Sequence, residues 1–565
     1  MKNLFILCLL LTFVTSAQVD RETRAVWVTT NFRLDWPPPT FDQEKQKQYL
    51  IDIFDDIKSK NLNTVFFQVR TNGVVFFKSS FEPLTQYITG EVDGDASYDP
   101  LEFAIEQAHK RGLEIHAWIN VVRCFTGNES IILDNPNHIS KRKPEWVISD
   151  TRDGQKSLWL DPGLPEVREY ISNLIVEMTE NYNIDGVHLD FIRYPGRNFD
   201  DDFSYSIYGS GYTRDNWRRN NITELISLIN KNIRRVKPQI KFGAAPIGIY
   251  KNLKGMTGWE GYSEIYQDSR EWLKRGILDY VAPQIYWGFD EKTRFDLLAK
   301  DWVQNSYGRA VFLGIAAYKE NVKSQMESMI NFSRTINADG VAFFRYENIK
   351  NFNFTSFEHK TYPSAMAWMD KLYPDAPSNL KSENMPGKKN YFNLSWSNQN
   401  KNADSASYFA LYNLPFHDSE ILPEYLFEII PSDKNLISIA IEKPKKVNYY
   451  FTLKSVSQLW NESIESSNVI SVNIPELSAM LAGNDFIMNP ILVKEPMRNS
   501  KLMMYASQKE KIVLQGIINN RIDELMNMEL LPGKNILTIP RDISEYQLIK
   551  IVNKTSGKEH QLKLQ

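Results

Sequence analysis

The chain has 565 residues, too many for one compact core, with 42% hydrophobic and 24% charged residues, as in an ordinary folded soluble protein. A formal net charge of −3 gives no electrostatic case for nucleic acid or an anionic membrane surface. The 13 Trp, 27 Tyr and 31 Phe are enough to fill cores and still leave rings to stack on sugars, whose C–H faces are apolar and whose rims are polar.

The N-terminus reads as a signal peptide over 1–17. Lys2 supplies the positive charge, 4–14 is an apolar run too short to span a bilayer, and Thr15-Ser16-Ala17 offers small residues for cleavage before Gln18. An exported protein is expected, in the periplasm, on the cell surface or secreted, with no transmembrane segment. Cys8 lies in the leader, so Cys124 alone remains, which excludes an intramolecular disulfide and a cysteine metal cage.

Over 18–373 short apolar runs alternate with amphipathic stretches. The predicted strands are 24–30 (RAVWVTT), 63–70 (NTVFFQVR), 113–119 (LEIHAWI), 186–190 (GVHLD), 240–246 (IKFGAAP), 279–286 (DYVAPQIY), 310–315 (AVFLGI) and 340–345 (GVAFFR). Helical patterns fill 45–60, 101–111, 165–182, 217–236, 262–275 and 322–336. Eight strands alternating with helices predict a parallel sheet closed into a (β/α)₈ TIM barrel. Gly112, Gly186, Gly276 and Gly340 each precede or open a strand, where a left-handed glycine would end the preceding helix. An open doubly wound sheet would want a Gly-rich turn after its first strand, and Thr30 is followed by Asn31-Phe32-Arg33 instead.

Tyr373-Pro374-Asp375-Ala376-Pro377 reads as a linker. Beyond it the helices stop. The runs YFNLSW, SYFALY and NYYFTLK in 376–474 suit one β-sandwich, and 475–565 reads as a second small all-β domain.

In a barrel of this kind the chemistry sits at the C-terminal strand ends and in the loops after them. The loops after the third and fourth strands, 120–164 and 191–216, are long enough to wall a cleft. The strongest local signal is DGVHLDFIRYPG at 185–196, where His188 and Asp190 share one face and Asp190 ends the strand. Such a carboxylate can serve as nucleophile, acid/base or metal ligand, or can be a structural partner of Arg193. Asp161, in WLDPG, and Glu347, after the eighth strand, are candidates for a second catalytic carboxyl. Asp161 is equally a turn or helix-entry cap. His116 reads either as a substrate contact or as a hydrogen-bonded barrel residue. Trp118, Tyr194, Tyr286 and Trp287 either stack on sugar or pack the rim. No His-x-His, HExxH or cysteine cluster is present, so no metal and no cofactor are expected.

Taken in order, 24–30, 67–70, EIHAWINVVR at 114–123, WLDPGLPEVREYI at 159–171, DGVHLDFIRYPG and DYVAPQIYW at 279–287 resemble the glycosyl-hydrolase-like family ten. The resemblance implies a (β/α)₈ barrel and glycoside hydrolysis, with peptidoglycan glycan strands stripped of stem peptides as the favoured polysaccharide. It makes Asp190 the expected catalytic carboxylate. Arg70, His116, Asn120, Arg193, Gln284 and Tyr286 match polar positions at the mouth. The alternative is a barrel of the cell envelope that binds glycan without cleaving it. Residues 376–474 resemble a fibronectin type III module. The final tract resembles the C-terminal sorting domain of the type IX secretion system, with an ordinary accessory sandwich as the other reading.

Overall fold

The structure is a computed structural model. It describes residues 21–565 except 129, 153, 367, 370–372, 399–406, 442–447, 475–487, 494–500, 507–508, 520, 532, 540–542, 544–545, 555–556, 558 and 564–565. The expected signal peptide and its cleavage point lie outside the described residues.

Eight parallel strands form the barrel: β1 (Thr23–Val28), β2 (Thr64–Thr71), β3 (Glu114–Asn120), β4 (Gly186–Asp190), β5 (Lys241–Ala244), β6 (Tyr280–Val281), β7 (Ala310–Ile315) and β8 (Gly340–Phe343). Each pairs with its sequence neighbours, and β1 pairs with both β2 (Ala25 opposite Thr64) and β8 (Thr23 opposite Gly340), which closes the sheet. The helices pack outside it. Some of them start at side-chain oxygens that satisfy free backbone N–H groups. Asp42 accepts from Glu44 and Lys45 ahead of Gln43–Ser59. Asp99 accepts from Leu101 and Glu102 ahead of Pro100–His109.

The expected helix over 262–275 is two short pieces, Gly261–Glu264 and Ser269–Lys274. Tyr266 between them has φ 63°, which helix cannot accommodate. Gly112 and Gly276 adopt the expected left-handed conformation, with φ 69° and 63°. Gly186 does not. A Cβ there would lie 2.6 Å from His116 Nδ1, so close approach is the reason for this glycine.

The barrel interior is filled rather than open. Trp27, Phe66, Tyr280 and Phe312 pack with small residues such as Ala25, Ala310 and Ala342. Phe66 stacks on His188 at 4.0 Å. Trp27 Nε1 donates to His188 Nε2 (3.0 Å), which assigns the proton of His188 to Nδ1, facing the Tyr280 hydroxyl at 3.1 Å. Tyr280 also meets His116 Nδ1 at 2.8 Å. Below this layer Glu114 forms a buried ion pair with Lys241. Burial alone would push the Glu114 carboxyl up, but Lys241 and His116 outweigh it and hold it below its ordinary value.

Seven antiparallel strands follow in two sheets. Tyr391–Ser397 lies between Ser378–Asn384 and Leu436–Ala440 in one, and the other runs Leu426–Pro431, Tyr408–Leu414, Asn448–Val456, Ile470–Asn473. Leu380, Leu394, Trp396, Phe409 and Phe451 form the core between them. A second pair of three- and four-stranded sheets, from Met488–Val493 to Glu559–Lys563, encloses Leu502, Ile512, Leu514, Leu537 and Ile551.

The first pair of sheets is docked on the underside of the barrel. Trp460, 1% exposed, stacks on Tyr408 (4.9 Å), and its Nε1 donates to Glu114 Oε1 (2.7 Å) on the barrel floor. Tyr362, Tyr412 and Glu462 form a hydrogen-bonded cluster beside it. This seam joins the sandwich to the barrel through buried aromatic packing, while the sandwich keeps a core of its own.

Candidate active site

The β4 strand alternates His188 inside the barrel with Asp190 one layer higher, at its upper rim. In register, Asn120 of β3 stands opposite Asp190. The backbone turns sharply after Asp190: Phe191 has φ 49°, a conformation costly for a bulky side chain. That turn lets the Phe191 N–H donate to Asp190 Oδ1 at 2.7 Å, so the carboxyl is held by its own successor. Gln284 Nε2, from the segment after β6, donates to the same oxygen at 3.3 Å.

Asp190 is 8% exposed and faces a cavity of about 270 Å³ lined by Trp118, Asn120, Arg123, Arg193, Trp259, Gln284, Tyr286 and Phe344, among others. Burial raises its carboxyl above the ordinary range; the Phe191 N–H, Arg123 and Arg193 offset this only in part. The Trp118 indole N–H also favours the carboxylate, although Nε1 has no partner in hydrogen-bonding geometry. Asp190 is the sole carboxyl among the described residues lining this cavity.

The loop after β3 forms one wall as a three-stranded antiparallel sheet, with Gln155–Leu160 between Arg123–Thr126 and Val147–Arg152. Arg193 is surrounded by aromatic faces: its guanidinium lies 4.9 Å from Phe191, 4.9 Å from Trp259 and 5.2 Å from Trp159. Beneath, Gln68 accepts from the N–H groups of Thr30 and Asn31 and donates to Asn120 Oδ1 (3.4 Å), fixing the Asn120 amide.

The sequence-predicted residues separate into two groups. Asp190, Trp118, Asn120, Arg193, Gln284 and Tyr286 converge on the cavity. The others do not. His116 sits four residues before Asn120 on one strand, about 13 Å lower, in the barrel interior. Arg70, 1% exposed, makes a bidentate pair with Glu82 and also bonds the Asn120 and Val121 carbonyls, so its donors are spent on structure. Tyr194 is fully buried, with its hydroxyl accepting from Asn221. Trp287 is not among the cavity residues; Lys319 lies 5.9 Å from its ring.

Asp161 caps its own turn. It accepts from the Gly163 N–H (2.8 Å) and from Ser204 Oγ (2.5 Å), away from the cavity. Burial pushes its carboxyl up to about 6. Glu347 is near the surface, paired with Lys350 at 2.9 Å. Neither reaches the cleft, so neither fills the place expected of a second catalytic carboxyl. Sequence reasoning passed over Arg123 and Trp259. Arg123 closes the motif EIHAWINVVR, and its position at the head of a long strand-end loop was the available signal.

A larger cavity, about 1250 Å³, opens at the opposite end of the barrel and includes His109, Asp185, Arg234, Asp279 and Tyr408. That end of a (β/α)₈ barrel serves stability, and these charges are already paired: His109 with Asp185 (2.8 Å) and Arg234 with Asp279. Among the described residues there is no group of three or more His, Cys, Asp or Glu side chains placed to hold a metal ion. No helix among them is long and apolar enough to cross a membrane.

A family model described as "Glycosyl hydrolase-like 10" matches residues 22–331. The chain is 31% identical over 487 residues to the glycosyl hydrolase YngK of Bacillus subtilis, covering 80% of this chain and 94% of that protein. It is 35% identical over 344 residues to the glycosyl hydrolase DigH of Escherichia coli K12, covering 56% of this chain and 78% of that one. Among solved structures, the glycoside hydrolase domain of PgaB (BpsB) from Bordetella bronchiseptica matches with a TM-score of 0.44 at 14% identity, over 59% of this chain and 99% of that domain.

Proposed function

The chain belongs to the glycosyl hydrolase-like 10 family and is a glycoside hydrolase, and from that premise we propose that it cleaves peptidoglycan glycan strands freed of stem peptides, with Asp190 as the catalytic acid. One observation carries the assignment of Asp190: a carboxyl at the end of β4, in the mouth cavity, whose burial favours the protonated form. A proton held at that position suits donation to a glycosidic oxygen as its bond to the anomeric carbon breaks; water bonds to that carbon, and the proton it sheds restores the Asp190 carboxyl. The backbone N–H of Phe191 and the Gln284 amide orient the carboxyl and stabilise the anion it leaves behind. Trp118, Tyr286 and Trp259 offer apolar faces for the sugar rings, while Asn120 and Gln284 offer amides to their hydroxyl and acetamido groups.

Export through the signal peptide would bring such an enzyme to its polymer. The order of the seven strands in 376–474, three in one sheet and four in the other, supports reading that region as a fibronectin type III-like module. Purified strands, prepared by amidase digestion, provide the test. Wild-type protein should generate new reducing ends in proportion to enzyme. Intact strands in the presence of active, folded enzyme would remove this substrate from consideration.

A further inference from the structure

The mouth cavity holds two guanidinium groups against one carboxyl, and burial raises that carboxyl above its ordinary range. The cleft therefore carries surplus positive charge. Arg123 is its sharper element. Its guanidinium carbon lies 3.5 Å from the centroid of the Phe191 ring, and its backbone is fixed by pairing with Trp159 in the wall sheet. It makes no ion pair among the described residues, and its Nε is buried without a hydrogen-bond partner. Burial lowers its basicity to about 10, with Asp190 acting against that shift, so it remains charged at neutral pH.

A buried, oriented and unpaired guanidinium is costly to maintain in the empty protein. It is suited to receive a planar anion through two parallel hydrogen bonds. We propose that Arg123 is a specificity-determining residue that binds a carboxylate borne by the sugar next to the cleaved bond, so that this cleft takes carboxylated glycans. The inference rests on the proposed function, in which removal of the stem peptide exposes the lactyl carboxylate of muramic acid. A uronic acid would present the same chemistry from a different position on the ring. A carboxylate amidated by a stem peptide has lost the charge that Arg123 would read.

Binding measured in an Asp190→Asn background tests this without depending on turnover. The probes are peptide-free glycan strands, the same strands amidated with carbodiimide and ammonia, neutral chitohexaose, and a hyaluronan hexasaccharide. Amidation should weaken binding about 10- to 100-fold, the range of a charge-assisted hydrogen-bonded pair. Arg123→Met should show that same loss on untreated strands and no further loss on amidated ones. Arg123→Lys, which keeps the charge but not the fork, should fall between, and it decides the residue's role if Arg123→Met does not fold. Tight binding of hyaluronan with none to the peptidoglycan strands would keep the carboxylate reading and overturn the proposed substrate. Retained carboxylate dependence without turnover by the wild type would overturn the hydrolytic reading alone. Equal binding of charged and amidated strands, with hyaluronan no tighter than chitohexaose, overturns the inference. Undiminished discrimination by the folded Arg123 variants overturns it equally.

Discussion

Replacing Trp460 should destabilise the barrel although the residue lies in the β-sandwich that follows it. The indole is 1% exposed, stacked on Tyr408 at 4.9 Å, and donates to Glu114 at 2.7 Å. Truncating a buried Trp to Ala costs about 3–5 kcal/mol through lost packing and the cavity left behind. Removing a hydrogen bond to a buried carboxylate accounts for about 1.5–3 kcal/mol of such a loss. Trp460→Phe separates the two terms, because it keeps most of the ring and deletes only the N–H. The full-length protein should be unfolded in urea and followed by far-ultraviolet circular dichroism and by turnover of glycan strands. If floor and sandwich share a core, Trp460→Ala shifts the loss of activity and the loss of secondary structure together. Trp460→Phe should shift both by about half as much. An early sandwich transition with the activity midpoint unmoved would refute the coupling.

Other consequences concern the cleft and its surroundings. Asp161→Asn should leave kcat/KM within about threefold, because the residue lies away from the cavity and the Asn Oδ1 can still accept from the Gly163 N–H, while its Nδ2 donates to Ser204 Oγ, whose own proton turns to the Asp201 carbonyl. The same variant should flatten the pH dependence of stability. Asp161 is raised to about 6 in the fold, so the native state binds more protons than the unfolded chain, and stability falls as pH rises from about 4 to about 6. The wild type should lose on the order of 2–3 kcal/mol over that interval from this group, and denaturant titrations across it would show whether the variant is spared. Trp259→Ala should weaken glycan affinity about tenfold, with KM rising and kcat little changed, since the ring offers a binding face and also packs Arg193. Michaelis kinetics on strands of defined length would check this. An unchanged KM would remove Trp259 from the binding surface.

The barrel was legible because its signals are local. The strand runs carry β-branched or aromatic residues, and several helices announce their start, as Asp99-Pro100 does; Phe295–Gln304, which follows Arg294 with no side-chain cap, was not read as a helix. Asp190 was legible for the same reason: it ends a strand whose alternation places it on the inner face. Depth along a strand was harder to read. Arg70, His116 and Tyr194 are polar residues in strong motifs, but the pairing of Arg70 with Glu82 and of His116 with Tyr280 depends on contacts 12 and 164 residues apart. Asp161 looked equally like a cap and a cleft residue, and the hydroxyl that settles its place, Ser204, lies 43 residues away. Arg123 and Trp259 were missed because their roles arise where separate loops fold toward one another. The docking of Trp460 on Glu114 spans 346 residues, beyond any pattern in the chain.

The assignment of Asp190 is tested most directly by counting reducing ends released from peptide-free glycan strands by wild type and Asp190→Asn. Asparagine keeps the shape of the carboxyl and its bond from the Phe191 N–H, so the variant should stay folded. Because burial raises the Asp190 carboxyl, the neutral side chain should also make the protein more stable at pH values above that group's titration, where the wild type holds a buried charge. Release should fall about 10²- to 10⁴-fold, the contribution of a positioned acid, with binding retained. Turnover by a folded Asp190→Asn at the wild-type rate would contradict the account.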